Sequence, residues 1–221
     1  MRIRRKKHLK ERLKNLKEIL IVADRDIVNV NEAIKDKKYL NYSLIFKNEN
    51  PVELEIGCGK GGFICEKASL CKDKNFIAVE MLDNIIVMAG ETALSNNLKN
   101  VVFFNSGAEY LPRYIKDGSI ERIYLNFSPP YPQDSYENRR LTCTPRIEAY
   151  KNMLTKTGDI WLKTDDKGFF EYSFSQLEKH GFNVENVSEK IDCGKIENIQ
   201  TEYEKKFRSI GMPIYALIAK K

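Results

Sequence analysis

Apolar positions along the chain fall into short β-favouring runs, which are separated by longer stretches with the periodicity of helices. The runs that predict strands occupy residues 52–56, 75–80, 101–105, 120–127 and 159–163. Strands at this spacing predict βαβ units and therefore an α/β fold with a mostly parallel, doubly wound sheet. A final apolar run at 213–219 predicts a last strand, which we expect to pair antiparallel at the edge of that sheet.

The first 20 residues differ from the rest of the chain in both pattern and charge. Leu9, Leu13, Leu16 and Leu20 recur at helical spacing and predict a helix from about residue 8 with one apolar stripe. This segment carries a net charge of +7, whereas the remaining 201 residues carry −1. We therefore expect residues 1–45 to form a basic arm that contacts a polyanion such as nucleic acid, and residues 46–221 to form the main domain.

Composition narrows the class of protein. The 221 residues are 42% hydrophobic and 31% charged, which is typical of one ordinary globular domain. No apolar run approaches the length of about 18 residues that a spanning helix needs, so we expect no membrane contact. Five cysteines without a CxxC pair, and two histidines, argue against a disulfide scaffold or a metal site. This usage favours a reducing cytoplasm.

A glycine-rich segment follows the first predicted strand. Gly57, Gly59 and Gly61 come directly after Glu55, and the second strand ends at Glu80. Glycines allow a tight turn that a ligand can approach closely, and an acid at Glu80 can accept hydrogen bonds from a ribose diol. The segment therefore predicts a site for a ribose-bearing cofactor.

Two cofactors fit the glycine pattern. Gly57, Gly59 and Gly62 match the dinucleotide pattern GxGxxG, which leaves NAD as an alternative. However, the carboxylate of Glu55 would repel a pyrophosphate and would suit a cationic ligand. The arrangement is typical of proteins that bind S-adenosylmethionine, which carries a sulfonium and an ammonium group and no phosphate.

Polar motifs follow the later strands, at the edge where a doubly wound sheet binds its ligands. Ser128-Pro-Pro-Tyr131 predicts a rigid loop whose aromatic ring stacks on a base, although a proline-rich connector explains the same residues. Arg139 and Arg140 suit phosphates. Asp165 suits the hydrogen-bond donors of a guanine edge, whereas Asp166 suits the N-cap of the next helix. Thr201 and Glu204 have the spacing of a capping box.

These segments together resemble the bacterial tRNA (guanine-N7-)-methyltransferase family, co-linearly from residue 1 to about residue 215. The resemblance is carried by residues 54–61 (LEIGCGKG), 75–80 (NFIAVE), 124–128 (YLNFS), 139–142 (RRLT), 163–165 (KTD), 170–173 (FEYS) and 201–204 (TEYE). It implies a Rossmann-like class I methyltransferase fold with a seven-stranded sheet. It also implies S-adenosylmethionine as the cofactor, tRNA as the partner and a guanine of the tRNA variable loop as the substrate. Monomer and homodimer both remain open.

The resemblance also assigns site residues. The residues expected to bind the cofactor are Glu55, Gly57, Gly59, Gly61, Glu80, Asn105, Ala108 and Asn126. The residues expected to bind the substrate are Ser128, Tyr131, Gln133, Arg139, Arg140, Asp165, Thr201, Glu202, Tyr203 and Glu204. No catalytic residue is assigned.

The chain departs from the family pattern at three positions. An acid usual in the active site is Pro129 here, a substrate-side lysine is Gln133, and an acid near the adenine is Gly107. Glu109 and Asp134 are acids that could compensate, but the sequence alone does not place them. Two alternatives therefore stay open: a methyltransferase acting on an exocyclic amine of another RNA base, and a catalytically weakened tRNA-binding relative.

Overall fold

A computed structural model describes residues 6–24, 29–192, 194 and 198–221 of the chain. The chain divides into two compact units, residues 1–116 and 117–221. Each unit alternates strands with helices, which confirms the predicted α/β class. Within the described ranges, every helix is too short or too polar to cross a membrane.

The first unit holds four parallel strands in the order β1-β4-β3-β2. Its elements are α1 (Leu9–Asn15), β1 (Leu20–Val22), α2 (Val30–Ala33), α3 (Tyr42–Phe46), β2 (Val52–Ile56), α4 (Gly62–Leu70), β3 (Asn75–Val79), α5 (Asp83–Ser95), β4 (Val101–Asn105) and α6 (Leu111–Tyr114). Every residue of β2, β3 and β4 is buried, as expected for parallel strands covered on both faces. Because these strands run parallel, their carboxyl ends share one edge.

The basic segment packs on α5 through its leucines. Leu9 and Leu16 are buried against Val87, and Leu13 and Leu20 pack beside them. A Cβ built at Gly90 would lie 2.5 Å from Cδ1 of Leu16, so glycine is what allows this close approach. The helix ends earlier than the leucine spacing predicts, because Leu20 enters β1 and pairs with Phe103 of β4.

The second unit holds four strands in the order β5-β6-β8-β7. Its elements are β5 (Ile120–Asn126), α7 (Thr144–Met153), β6 (Leu154–Thr164), α8 (Lys167–Lys179), β7 (Asn183–Asn186), α9 (Ser188–Asp192), α10 (Glu202–Ser209) and β8 (Tyr215–Lys220). β5 and β6 are parallel, whereas β8 pairs antiparallel with both β6 and β7. The antiparallel last strand is therefore confirmed.

The described residues contain eight strands rather than the seven that the resemblance implies. Two strands lack a sequence signal: β1 has three residues, and β7 (NVEN) has no residue that is fully buried. Edge strands of this kind are held by backbone pairing, so a hydrophobic pattern does not reveal them. β6 also begins five residues before the predicted 159, because the polar residues 155–157, of which two are exposed, interrupt the apolar pattern after Leu154.

Candidate active site

The glycine segment forms the turn between β2 and α4. Gly57 and Gly59 have φ angles of 81° and 57°, in the left-handed region that favours glycine. The N–H groups of Gly57 and Cys58 both donate to the carbonyl of Val79, at 2.8 and 2.9 Å. A Cβ built at Gly57 or Gly59 would meet nothing within 4 Å, so open space lies beside both residues.

Gly61 has a different neighbourhood. A Cβ at this residue would lie 2.8 Å from Cβ of Ala89, so the missing side chain lets α4 approach α5. This packing gives Gly61 a structural reason of its own, and the cofactor contact expected of it stays a prediction.

Two carboxylates flank the turn. Glu55 is buried in β2, two residues before Gly57. Burial raises the pKa of the Cys58 thiol well above its ordinary value, and the charges of Glu55 and Glu80 raise it further. Cys58 therefore stays protonated, mainly because it is buried. The carboxylates of Glu55 and Glu80 add negative charge at the turn, which suits a cationic ligand.

Glu80 stands directly after β3. Burial raises the pKa of its carboxyl group, while backbone N–H groups of Leu82, Met81 and Gly59 oppose that rise. The Oε1 atom accepts from the Leu82 N–H at 2.9 Å. The side chain of Asn105, at the end of β4, donates to the Glu80 carbonyl at 3.0 Å. The ends of β3 and β4 are therefore tied together beside the turn.

The segment after β4 brings an acidic side chain next to Gly107, the position at which the family pattern has an acid. Gly107 precedes a short 3₁₀ helix, Ala108–Tyr110. A Cβ built at Gly107 would lie 2.5 Å from Oε1 and 2.8 Å from Oε2 of Glu109. The carboxylate of Glu109 thus occupies the space that a side chain at position 107 would take. Asp134, the other acid considered, belongs to an exposed 3₁₀ helix of the second unit.

In the second unit, the loop after β5 is strained. Phe127 and Tyr131 have φ angles of 51° and 43°, a conformation that costs a residue with a side chain about 1–3 kcal/mol. Asn126 and Ser128 are buried. The hydroxyl of Ser128 has no hydrogen-bond partner among the residues that the structure describes. A buried hydroxyl in a strained loop is a candidate ligand contact.

Arg140 holds this loop from inside the protein. Its guanidinium donates to the carbonyl of Tyr131 through Nε at 3.1 Å and through a terminal nitrogen at 3.0 Å. It also lies over the ring of Tyr172, 4.3 Å from the centroid. Arg140 is buried and supports the loop, and the phosphate contact expected of it stays a prediction. Arg139 is exposed and packs over Tyr136.

A buried ion pair anchors the segment 201–204. Glu204 is fully buried, and its carboxylate accepts from Lys163 at 2.7 Å, Asn198 at 2.6 Å and Arg208 at 3.0 Å. Thr201 caps α10 by accepting from the Glu204 N–H at 2.9 Å, as its position in the sequence predicts. Glu204 therefore holds α10 in place, and the substrate contact expected of it stays a prediction.

The remaining predicted substrate residues lie at the surface or at strand ends. Asp165 follows β6 and is half-buried, whereas Asp166 caps α8 by accepting from the Phe169 N–H at 2.7 Å. The exposed residues are Pro129, Gln133, Glu202 and Tyr203.

Sequence reasoning missed Phe127 and Phe207, whose rings contact that of Tyr203. Phe127 is the last residue of a predicted strand, and Phe207 follows the predicted capping box, so neither position carried a signal of its own. The available signal was the capping box, because it marks the start of α10, where the i, i+4 spacing of Tyr203 and Phe207 places both rings on one face.

Comparison with known proteins identifies the family. Residues 49–217 match the family model described as "Putative methyltransferase". The chain is 36% identical over 220 residues to the tRNA (guanine-N(7)-)-methyltransferase of Streptococcus thermophilus, covering 99% of this chain and 98% of the relative. It is 41% identical over 172 residues to the enzyme of that name from Geobacillus kaustophilus, covering 77% and 79%.

Solved structures support the fold. A SAM-dependent methyltransferase from Aquifex aeolicus matches 88% of this chain and 99% of its own with a TM-score of 0.54 at 12% identity. The likeness confirms the class I methyltransferase fold that the sequence predicted. The chain belongs to the family of tRNA (guanine-N(7)-)-methyltransferases.

Proposed function

We propose that this protein transfers a methyl group from S-adenosylmethionine to N7 of a guanine in the variable loop of tRNA. The observation that carries the proposal is the identity to a tRNA (guanine-N(7)-)-methyltransferase along 99% of the chain. The described geometry agrees with it, because a glycine turn and two acids provide a site for a cationic, ribose-bearing donor.

The residues of the first unit fit this donor. When bound, S-adenosylmethionine supplies the methyl group as part of a sulfonium. Gly57 and Gly59 leave open space for it beside the backbone, and Glu55 and Glu80 supply negative potential. Glu80 accepts from the ribose hydroxyls, as an acid at the end of a second strand does in nucleotide sites.

Strand order suggests which residue meets the adenine. The edge runs from β2 through β3 to β4, so a donor with its cationic end at β2 and its ribose at β3 brings adenine to β4. Gly107 offers no side chain there, but Glu109 does. We assign Glu109 to accept from the adenine amine, with Asn105 and Ala108 shaping the same strand end.

The acceptor needs positioning rather than proton removal. Guanine N7 carries a lone pair and no proton, so the reaction requires no general base. This chemistry tolerates Pro129 where an acid is usual, because proximity and orientation supply most of the rate. Tyr131 would stack on the target base, Asp165 would accept from its N1–H and amine, and Ser128 would contact it through the buried hydroxyl. Gln133, Thr201 and Glu202 complete the predicted substrate site, whereas Asn126 belongs to the predicted cofactor site.

The basic residues serve the RNA backbone. The arm of residues 1–45 and the exposed Arg139 would contact phosphates, whereas Arg140 and Glu204 hold the loops that carry the contacts. Cys58, Cys65, Cys71 and Cys143 are free, which agrees with a reducing cytoplasm.

Nucleoside analysis tests the proposal. Purified protein is incubated with S-adenosylmethionine and unmodified tRNA, and the digested RNA is examined by mass spectrometry. We expect 7-methylguanosine as the product, and no transfer to a tRNA with 7-deazaguanine at the target, since that base lacks N7. Methylation of an exocyclic amine, or tight tRNA binding without any transfer, would refute the proposal.

A further inference from the structure

Three aromatic rings form one cluster on the second unit, called here the aromatic platform: Phe127, Tyr203 and Phe207. Their centroids lie 6.4 Å (Phe127–Tyr203), 6.0 Å (Phe127–Phe207) and 6.3 Å (Tyr203–Phe207) apart. The interplanar angles are only 23°, 31° and 27°. Because the centroids are nearly equidistant, no ring is sandwiched between the other two.

The rings of the platform are accessible to solvent to different extents. Tyr203 is 61% exposed, and Phe127 and Phe207 are half-buried. Aromatic side chains normally bury most of their surface, so an exposed ring in a contiguous cluster indicates a binding surface.

The surrounding structure anchors the backbone that carries the rings. The N–H of Phe127 donates to the carbonyl of Lys163 at 2.8 Å, despite the left-handed φ of Phe127. Tyr203 and Phe207 lie on α10, which is capped by Thr201 and anchored through the buried Glu204. The backbone beneath the rings therefore has little freedom left to lose on binding.

The charge around the platform favours an anionic polymer. Lys206 is exposed on α10 three residues after Tyr203, so the two side chains are neighbours on the helix surface. Lys205 is exposed on another face of α10, and Arg208 is engaged with Glu204 and Asp192. Of the two acids in the first turn, Glu202 is exposed and Glu204 is buried. Flat aromatic faces next to lysines are the chemistry by which proteins bind unpaired nucleotides.

We propose that the aromatic platform stacks an unpaired nucleobase of the RNA substrate, a neighbour of the target guanine. The inference rests on the proposed function, which makes RNA the substrate and gives the target base to the loop that carries Tyr131. The platform then fixes the register of the RNA strand by holding a second base outside the reaction site.

A fluorescent base tests the platform directly. A tRNA transcript carries 2-aminopurine at an unpaired position next to the target guanine, and its fluorescence is followed on titration with protein. The wild type and Tyr203→Phe should both quench it, because both keep the ring. Tyr203→Ala should lose the quenching and raise the Kd for the RNA about tenfold. Leu70→Ala, which removes an apolar side chain of matched exposure (60%), should behave as the wild type.

The remaining outcomes separate the proposals. Tyr203→Ala should keep the melting temperature of the wild type and its affinity for S-adenosylhomocysteine, so that the RNA effect is not one of folding. Unchanged quenching and RNA affinity in Tyr203→Ala would overturn the platform. Sedimentation can also overturn the platform: a wild-type dimer that becomes a monomer in Tyr203→Ala would mean that the rings contact a second copy of this chain. If the wild type forms no 7-methylguanosine, but Tyr203→Ala still loses the quenching and the RNA affinity, the proposed function alone is refuted.

Discussion

At the residue scale, Glu80 shows how the fold sets the charge of a site. Burial raises the pKa of its carboxyl group, and three backbone N–H groups hold the carboxylate in a fixed orientation against that effect. Donor binding therefore depends on a carboxylate that becomes protonated at a higher pH than an exposed glutamate does.

Replacing Glu80 tests this dependence. We expect Glu80→Gln to raise the Kd for S-adenosylhomocysteine about 10- to 100-fold, since hydrogen bonds to a charged group contribute about 1.5–3 kcal/mol. In the wild type, affinity should fall as the pH drops through the raised pKa, and the variant should lose that dependence. Calorimetry across pH measures both, with Glu66→Gln on the surface of α4 as control. Equal affinities for wild type and Glu80→Gln would remove Glu80 from the site.

Glu109 and Gly107 offer a test by exchange of positions. We expect Glu109→Ala to weaken S-adenosylhomocysteine binding about tenfold, because the adenine amine loses its acceptor. The double variant Gly107→Asp/Glu109→Ala should recover most of that loss, since a side chain at 107 fills the space that Glu109 occupies. An analogue with hypoxanthine in place of adenine should bind the wild type weakly and Glu109→Ala no worse. Two results together would contradict the assignment. The double variant would bind S-adenosylhomocysteine as weakly as Glu109→Ala, and the wild type would bind the hypoxanthine analogue as tightly as S-adenosylhomocysteine.

Ser128 separates stability from function. A buried hydroxyl without a partner costs a folded protein about 1–3 kcal/mol, so Ser128→Ala should leave the free energy of unfolding unchanged or raise it. The same change should lower kcat/KM for tRNA, because the hydroxyl finds its partner in the substrate. Urea unfolding and steady-state kinetics give the two values. A destabilised variant with full activity would assign Ser128 to the fold.

At the element scale, local pattern and long-range pairing account for different parts of the molecule. The bounds of β2 and β4 equal those predicted, because continuous apolar runs mark strands buried on both faces. The partner of Glu204 could not be predicted, since Lys163 lies 41 residues away. The contact between Arg140 and Tyr131 was not predicted either, although only nine residues separate them, because it depends on how the loop between them turns.

The Lys163–Glu204 pair should dominate the stability of α10. Burial opposes ionisation of Glu204, but Lys163, Asn198 and Arg208 outweigh it and lower the pKa of the carboxyl group. We expect Glu204→Gln to lower the free energy of unfolding by about 3–5 kcal/mol, because Lys163 stays buried without its counter-charge. Replacing both residues, as in Lys163→Met/Glu204→Leu, should recover much of this loss.

The pH dependence of unfolding gives the sign of this effect. Because the pKa of Glu204 is lowered in the folded state, the pair contributes fully to stability at a pH above the ordinary pKa of glutamate. This contribution is lost as the pH falls through the lowered pKa. Glu204→Gln should flatten the stability curve in that acidic window. An unchanged curve would show that Glu204 does not carry the effect.

At the scale of the whole molecule, the apolar pattern extends along the chain, whereas the excess positive charge is confined to one segment. Apolar runs mark the buried strands along the whole chain, although not the edge strands β1 and β7, whereas the excess positive charge lies within the first 20 residues. Leu9 and Leu16 are buried against α5 and Leu13 is partly buried there, while Lys10, Lys14 and Lys17 remain exposed. The arm is therefore attached by one face and presents its charge on the other, which sequence periodicity predicted.

Neutralising the exposed lysines tests the arm without detaching it. We expect the triple variant Lys10→Gln/Lys14→Gln/Lys17→Gln to weaken tRNA binding and to reduce the slope of log Kd against log salt concentration by about 2–3, since each phosphate contact releases counterions. The buried leucines stay in place, so the melting temperature should not change. A control with Gln at Lys47, Lys156 and Lys179, which are also exposed, removes the same net charge elsewhere. An equal loss of slope in both variants would mean that net charge, and not the arm, attracts the RNA.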